Sequence, residues 1–205
     1  MNLNLSNLIT LSRIPLMFLI AGLMFCGWPG SATAAFLLFL VAATGDWLDG
    51  YLARKHGWVT TFGKLMDALT DKIMVMGLVI AFVGSPQFAH SPRREIAVAL
   101  ALITLSREFL VTGIRMVAAS KGVVVPADGG GKTKTVTQLV ALGFLLSVPM
   151  VTRDWTRLTA ADLTAFAAVL QRIGEYLFVL CTAIAVWSGW RYVNHFKALV
   201  LDQAD

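Results

Sequence analysis

Asp46-Trp47-Leu48-Asp49-Gly50-Tyr51-Leu52-Ala53-Arg54, then an eight-residue spacer, then Gly63, Asp67 and Asp71, bridges two strongly apolar segments of the chain. Carboxylates at such a junction are costly unless something neutralises them. In the first segment Asp46, Asp49, Gly50, Ala53 and Arg54 fall at i, i+3, i+4, i+7 and i+8, one stripe of a helix turning about 100° per residue. In the second, Gly63, Asp67 and Asp71 fall at i, i+4 and i+8. Two helices joined by a short loop can therefore face each other with two carboxylates from each, while glycine and alanine leave room for a ligand.

Ligands that are all oxygen, with no cysteine nearby and with His56 in the loop instead of on either stripe, favour Mg2+ or Mn2+ over structural zinc. Four carboxylates balance two such ions. A pair of cations roughly 3.5–4 Å apart clamps phosphoryl oxygens during an in-line displacement, so phosphoryl transfer is the expected chemistry. Helix capping, or pairing with Lys55, Lys64 and Lys72, would account for one of these aspartates but poorly for four on matching stripes.

The pattern Asp46-x2-Asp49-Gly50-x2-Ala53-Arg54-x8-Gly63-x3-Asp67-x3-Asp71 resembles, with nothing missing or shifted, that of the CDP-alcohol phosphotransferases, membrane enzymes that join a CDP-linked group to an alcohol and release CMP. The resemblance implies that Asp46, Asp49, Asp67 and Asp71 hold the metals and that Asp71 doubles as general base. It further implies that Asp46, Gly50, Ala53, Arg54 and Gly63 line the CDP site, and that the enzyme is a homodimer.

Composition points to a membrane independently. At 57% hydrophobic and 14% charged residues over 205 positions, with mean hydropathy +0.72, the chain is too apolar for a soluble domain. An all-α polytopic protein is expected, with six transmembrane helices, from Leu8 to Trp28, Thr33 to Ala53, Phe62 to Gly84, Glu95 to Ala119, Val136 to Val151 and Phe166 to Trp190. Most match a bilayer core of about 30 Å, and the fifth is short. They leave no room for a separate soluble domain, so residues 1–205 are expected to form a single integral membrane domain. Met1 to Asn7 reads as a short interfacial helix. Arg13 ahead of an apolar run, with Ala32-Thr33-Ala34 behind it, is similar to a secretory signal. The chain begins at Met1 and the next span follows almost at once, so the segment is expected to be retained.

With the N-terminus inside, one side of the membrane carries Arg13, Arg54, Lys55, Lys64, Arg115, Lys121, Lys132, Lys134, Arg191 and Lys197, and the other only Arg93, Arg94, Arg153 and Arg157. That bias puts both termini and the aspartates on the cytoplasmic side. The net charge of +5 then reads as attraction to anionic lipid and phosphate substrates, not to nucleic acid. Cys26 and Cys181 fall inside expected spans without metal-ligand spacing and are expected to pack. His90 and His195 stand alone near span ends.

A second anion site suggests itself further on. Gly129-Gly130-Gly131-Lys132-Thr133-Lys134 runs into the fifth span, so backbone N–H groups, a helix N-terminus and two ammonium groups converge; a flexible loop whose lysines touch headgroups is the equal alternative from this stretch alone. Arg107 and Glu108 lie mid-span, where charge marks a functional site by default. Arg107 and Arg115 are about 80° apart on the helix, close enough to line one phosphate pocket. Glu108 is expected to find a buried partner instead, Arg172 for example, on the sixth span beside Glu175. Ser106-Arg107-Glu108-Phe109, Gly113-Ile114-Arg115, Gly131 to Gln138 and the opening Asn7 to Arg13 look like the bacterial phosphatidylglycerophosphate synthases within the family. That narrower likeness implies CDP-diacylglycerol as donor and sn-glycerol 3-phosphate as acceptor, its phosphate held by Arg107, Arg115, Lys132 and Lys134. The alternatives are a related enzyme using inositol phosphate, serine or phosphatidylglycerol, and, more remotely, a divalent-cation transporter, which would have no use for Arg54 or the glycine-rich stretch.

Overall fold

Runs of apolar residues this long must satisfy their backbone internally, and the helix does so within one segment. The computed structural model describes residues 5–55, 61–85, 93–122 and 129–201, and every element among them is helical. In order they are α1 (Leu5–Phe25), α2 (Ser31–Lys55), α3 (Thr61–Gly84), α4 (Arg94–Ser120), α5 (Gly129–Pro149), a π-helical stretch (Met150–Trp155), α6 (Thr156–Thr159) and α7 (Thr164–Leu201). Among the described residues four segments are long and apolar enough to cross a membrane: Leu8–Phe25, Arg94–Ser120, Thr133–Thr159 and Thr164–His195. In α2 the described apolar part is Ser31–Gly45. The all-α, multi-pass class expected from the sequence holds, and four or more of its helices are long and apolar enough to cross a membrane.

The core joins α1, α2, α3, α5 and α7 through Ile20, Phe39, Met74, Leu78, Leu142 and Cys181, all essentially inaccessible. Close approach of helices is made by small residues, the usual device where lipid removes any hydrophobic drive between spans. A Cβ on Gly77 of α3 would run into the Met17 sulfur of α1, and one on Gly174 of α7 would lie 2.7 Å from the Leu145 side chain of α5. Facing outward, Phe18, Leu102, Phe109, Val186 and Trp187 are exposed, as side chains solvated by lipid should be.

Several boundaries differ from the sequence expectation. The fifth helix starts at Gly129, so the three glycines form its first turn and not a loop, and it continues through the π-helical stretch to Thr159. Leu5, Ser6 and Asn7 already belong to α1 and not to a separate interfacial helix, and residues 1–4 lie outside the described part. Cys26 sits in the turn after α1, while Cys181 is buried as expected, and both are free.

The extra length of the fifth helix has a physical reason. Asp154, buried within it, accepts from the Gly30 N–H at 3.0 Å and from the Thr33 N–H and hydroxyl at 2.7 and 2.8 Å. It thereby caps the N-terminus of α2 from another helix. Arg153 donates to the carbonyls of Met24 and Cys26 at the C-terminal end of α1. A cation on C-terminal carbonyls and an anion on N-terminal amides are each the favourable sign for a helix end. Gly30 has φ +84°, and that left-handed backbone lets its N–H turn toward Asp154.

Candidate active site

The aspartate stripes fall where the spacing puts them. Asp46, Asp49, Gly50, Ala53 and Arg54 occupy the C-terminal part of α2, and their side chains lie outside the described part of the structure, as do residues 56–60 with His56. On α3, Gly63, Asp67 and Asp71 share one face. Asp67 is 53% exposed at its carboxylate and lies 3.5 Å from Arg13 of α1. A cationic neighbour thus comes from another helix. Among the described residues no three carboxylate, histidine or cysteine side chains converge, Asp46 and Asp49 not being among those described.

Arg13 is the residue that sequence reading missed here. It is 2% exposed and the one charged residue of α1, yet the sequence reading gave it no place in the site. The available signal was the rule applied to Arg107: a buried charge within a span is a functional-site hypothesis.

Beyond Asp71 the next residue, Lys72, turns toward α4. Its ammonium donates to the Thr112 hydroxyl and lies 4.0 Å from Glu108 Oε2. Glu108, buried, accepts from Lys134 Nζ at 2.6 Å and from Arg107 Nη1 at 2.8 Å through the same Oε1. The expected buried partner therefore exists, but it comes from α3 and α5 and from the adjacent residue. Arg172 and Glu175 do not take part; Glu175 instead accepts from Arg93 at 2.7 Å and Gln171 at 2.9 Å.

Arg107 is held on its other side by α7. Its Nε donates to the Ala185 carbonyl at 3.0 Å and its Nη2 to the Ser188 hydroxyl. A Cβ on Gly189 would stand 2.9 Å from Arg107 Cγ, so glycine there makes room for the arginine stem. Arg115, two turns along α4, is exposed and lies beside Tyr192 of α7. Lys132 is in the first turn of α5, with its side chain outside the described part. Of the four residues expected at a phosphate, the structure thus joins Arg107 and Lys134 through Glu108 and sets Arg115 on the same helix as Arg107.

Charge counting defines what this cluster can do. Arg107, Lys134 and Lys72 surround one carboxylate, a surplus of two positive charges, with Lys134 buried and Arg107 largely buried against it and Lys72 half-buried at 4.0 Å. Buried charge of one sign is expensive until an anion joins it. Because Asp71 and Lys72 are successive on α3, the acidic stripe and the cationic cluster occupy adjoining faces of one helix.

An all-helical membrane bundle with an acidic stripe set against a buried cationic cluster defines a class, and the comparisons agree: residues 3–187 match the model of the CDP-alcohol phosphatidyltransferase family, to which the chain belongs. Three relatives carry one description, CDP-diacylglycerol--glycerol-3-phosphate 3-phosphatidyltransferase. That of Bacillus subtilis (strain 168) is 37% identical, covering 93% of this chain and 94% of its own length. Those of Rickettsia bellii (strain RML369-C) and Escherichia coli (strain K12) are each 31% identical, covering 95% and 99% of this chain and 94% and 100% of their own.

Proposed function

We propose that this chain transfers the phosphatidyl group of CDP-diacylglycerol to sn-glycerol 3-phosphate, releasing CMP, as a homodimer in a bacterial inner membrane with its aspartate end toward the cytoplasm. The observation that carries the reading is the surplus of cations beside Asp71, which suits an acceptor that is itself a phosphate ester. The names of the full-length relatives agree with it.

The donor set fits divalent cations: Asp67 and Asp71 offer hard oxygen ligands on one face of α3, and Asp46 and Asp49 follow helical spacing on α2. When bound, a pair of Mg2+ or Mn2+ ions supplies positive charge to the CDP diphosphate. Arg54, Gly50, Ala53 and Gly63 would line the nucleotide side, the small residues leaving space for it. Arg107 and Lys134, preset by Glu108, and Arg115 and Lys132 would hold the acceptor phosphate through charge-assisted bonds. Asp71 would take the proton of the glycerol 1-hydroxyl as that oxygen bonds to the lipid-linked phosphorus. The P–O bond to the cytidylyl phosphate breaks, and its electron pair leaves with CMP. Acyl chains can stay in the bilayer throughout, which is why a helical bundle suits this substrate.

The test is CMP release by purified protein supplied with CDP-diacylglycerol and one alcohol at a time. Turnover with sn-glycerol 3-phosphate, and poor turnover with glycerol, inositol phosphate, serine or phosphatidylglycerol, is expected. No CMP release with any of them would overturn the reading and leave cation transport. In the same assay Arg115→Ala and Lys132→Ala should raise KM for glycerol 3-phosphate at least tenfold, a charged hydrogen bond contributing about 1.5–3 kcal/mol, with KM for the lipid little changed. Equal small changes in both would show that these residues serve the membrane surface.

A further inference from the structure

At the end of the bundle away from the aspartates, a cavity of about 470 Å³ opens between α3, α4, α5 and α7. Its inner wall is apolar, made by Val79, Leu142, Leu145 and Phe178, all buried. Its mouth is ionic, carrying Arg93, Arg172 and Glu175. From Asp67 to Val83, which lines the cavity, α3 rises about 24 Å at 1.5 Å per residue, so this is not part of the site described above.

The mouth has an unequal charge balance. Both oxygens of Glu175 are engaged, one by Arg93 and one by Gln171. Arg172 has no hydrogen-bond or ion-pair partner among the described residues, although its guanidinium presents five donors in a fork suited to phosphate. Arg94, exposed next to Arg93, adds a further positive charge.

Below the mouth the cavity shares Leu100 and Val179 with an apolar groove that continues along the seam of α4 and α7 past Val186 and Trp187. From Arg172 to Val186 the path is about 21 Å, the reach of an extended acyl chain. An ionic mouth, an apolar cavity and a lipid-facing groove in line have the shape and polarity of one amphiphile.

We propose that this cavity binds an anionic glycerophospholipid from the leaflet opposite the active site, with its phosphate on Arg172 and one acyl chain in the cavity and groove. An anionic headgroup is favoured over a zwitterionic one because the mouth and its edge carry Arg93, Arg94 and Arg172 against Glu175 and the exposed Glu95, a positive surplus, and Glu175 is already paired with Arg93. The site is independent of the catalytic reading, since none of its residues serves the aspartate end.

The experiment uses the full-length protein in neutral detergent, with native mass spectrometry and thermal unfolding in the presence of dioleoyl phosphatidylglycerol or dioleoyl phosphatidylcholine. The wild-type protein should retain the anionic lipid preferentially and be stabilised by it. Arg172→Gln, an exposed change, should weaken retention of one lipid about tenfold, as expected for loss of a charged contact, and Ala97→Trp, which fills the cavity, should abolish that lipid's binding. CMP release should stay intact in both variants, so loss of this site and failure of the catalytic reading are separable. A lipid taken up at the aspartate end would be retained equally by wild type and Arg172→Gln, and that outcome would overturn the proposal. So would equal retention of the two lipids, or an Ala97→Trp protein that turns from dimer to monomer with unchanged lipid content, which would assign the face to a second copy of the chain.

Discussion

At the scale of the residue, Glu108 organises the chemistry around it without touching substrate in the proposed reaction. Its need for a buried partner was legible, since a carboxylate mid-span cannot stand alone. Its identity was not: neighbours at i and i+1 point apart on a helix, so the reach of Arg107 back to Glu108 depends on the anchors from α7, and Lys134 arrives by the packing of α5. Glu108→Gln should destabilise the protein by about 3–5 kcal/mol, the usual cost of leaving buried partners of an ion pair uncompensated. Added glycerol 3-phosphate should raise the unfolding temperature more in this variant than in wild type, because the phosphate replaces the missing negative charge; thermal unfolding in detergent with and without ligand checks both. Asp71 poses a different question, whether it serves as the proposed base or only as a proposed cation ligand. Asp71→Asn keeps size and one ligand oxygen but cannot accept a proton, so kcat should fall by about 10²–10⁴ with lipid binding largely kept; a near-normal kcat would leave Asp71 as a ligand alone.

At the scale of the element, helical periodicity was readable because it is local, and the stripes on α2 and α3 follow from spacing alone. Glycines at one end and Pro149, Arg153 and Asp154 at the other are residues that commonly stop a helix, yet the fifth helix runs through them, past the expected Val136 to Val151. Those polar residues instead serve the turn between α1 and α2, more than a hundred residues earlier, and the π-helical stretch is the local distortion that carries them. A tertiary cap of that kind has no signature in local sequence beyond a carboxylate out of place in an apolar run. Asp154→Ala should cost about 1–2 kcal/mol, as the loss of a helix cap does, read as a lower unfolding temperature with KM values unchanged, since the cap lies at the end of α2 opposite the aspartate stripe. Gly189 makes the complementary case on α7. Gly189→Ala places a methyl group 2.9 Å from Arg107 Cγ and should displace the guanidinium from Ala185 and Ser188. KM for glycerol 3-phosphate should rise while KM for CDP-diacylglycerol stays put, and equal KM values in wild type and variant would detach Arg107 from the acceptor.

For the whole molecule the open question is which way the bundle faces, and the structure refines the charges that bear on it. Arg13 and Lys134 are buried against Asp67 and Glu108, and Arg153 is committed to the carbonyls at the end of α1. None of these is free to interact with the cytoplasmic surface, so none should count toward orientation. Removing them takes cations from both sides and leaves the excess where it was, on the side of Arg54, Lys121, Lys132 and Arg191. The aspartate stripe and the cationic cluster share that end, where CDP-linked lipid, glycerol 3-phosphate and Mg2+ would all be supplied from the cytoplasm. The expected orientation can be measured after Cys26 and Cys181 are replaced by serine and alanine, with single cysteines introduced as Lys121→Cys and Arg157→Cys, both exposed positions at opposite ends. In intact spheroplasts a membrane-impermeant maleimide should label the second and not the first, and lysis should open the first to reaction. The reverse pattern would put the aspartates on the outer side, away from their substrates, and the proposed reaction could not be run by this chain in that orientation.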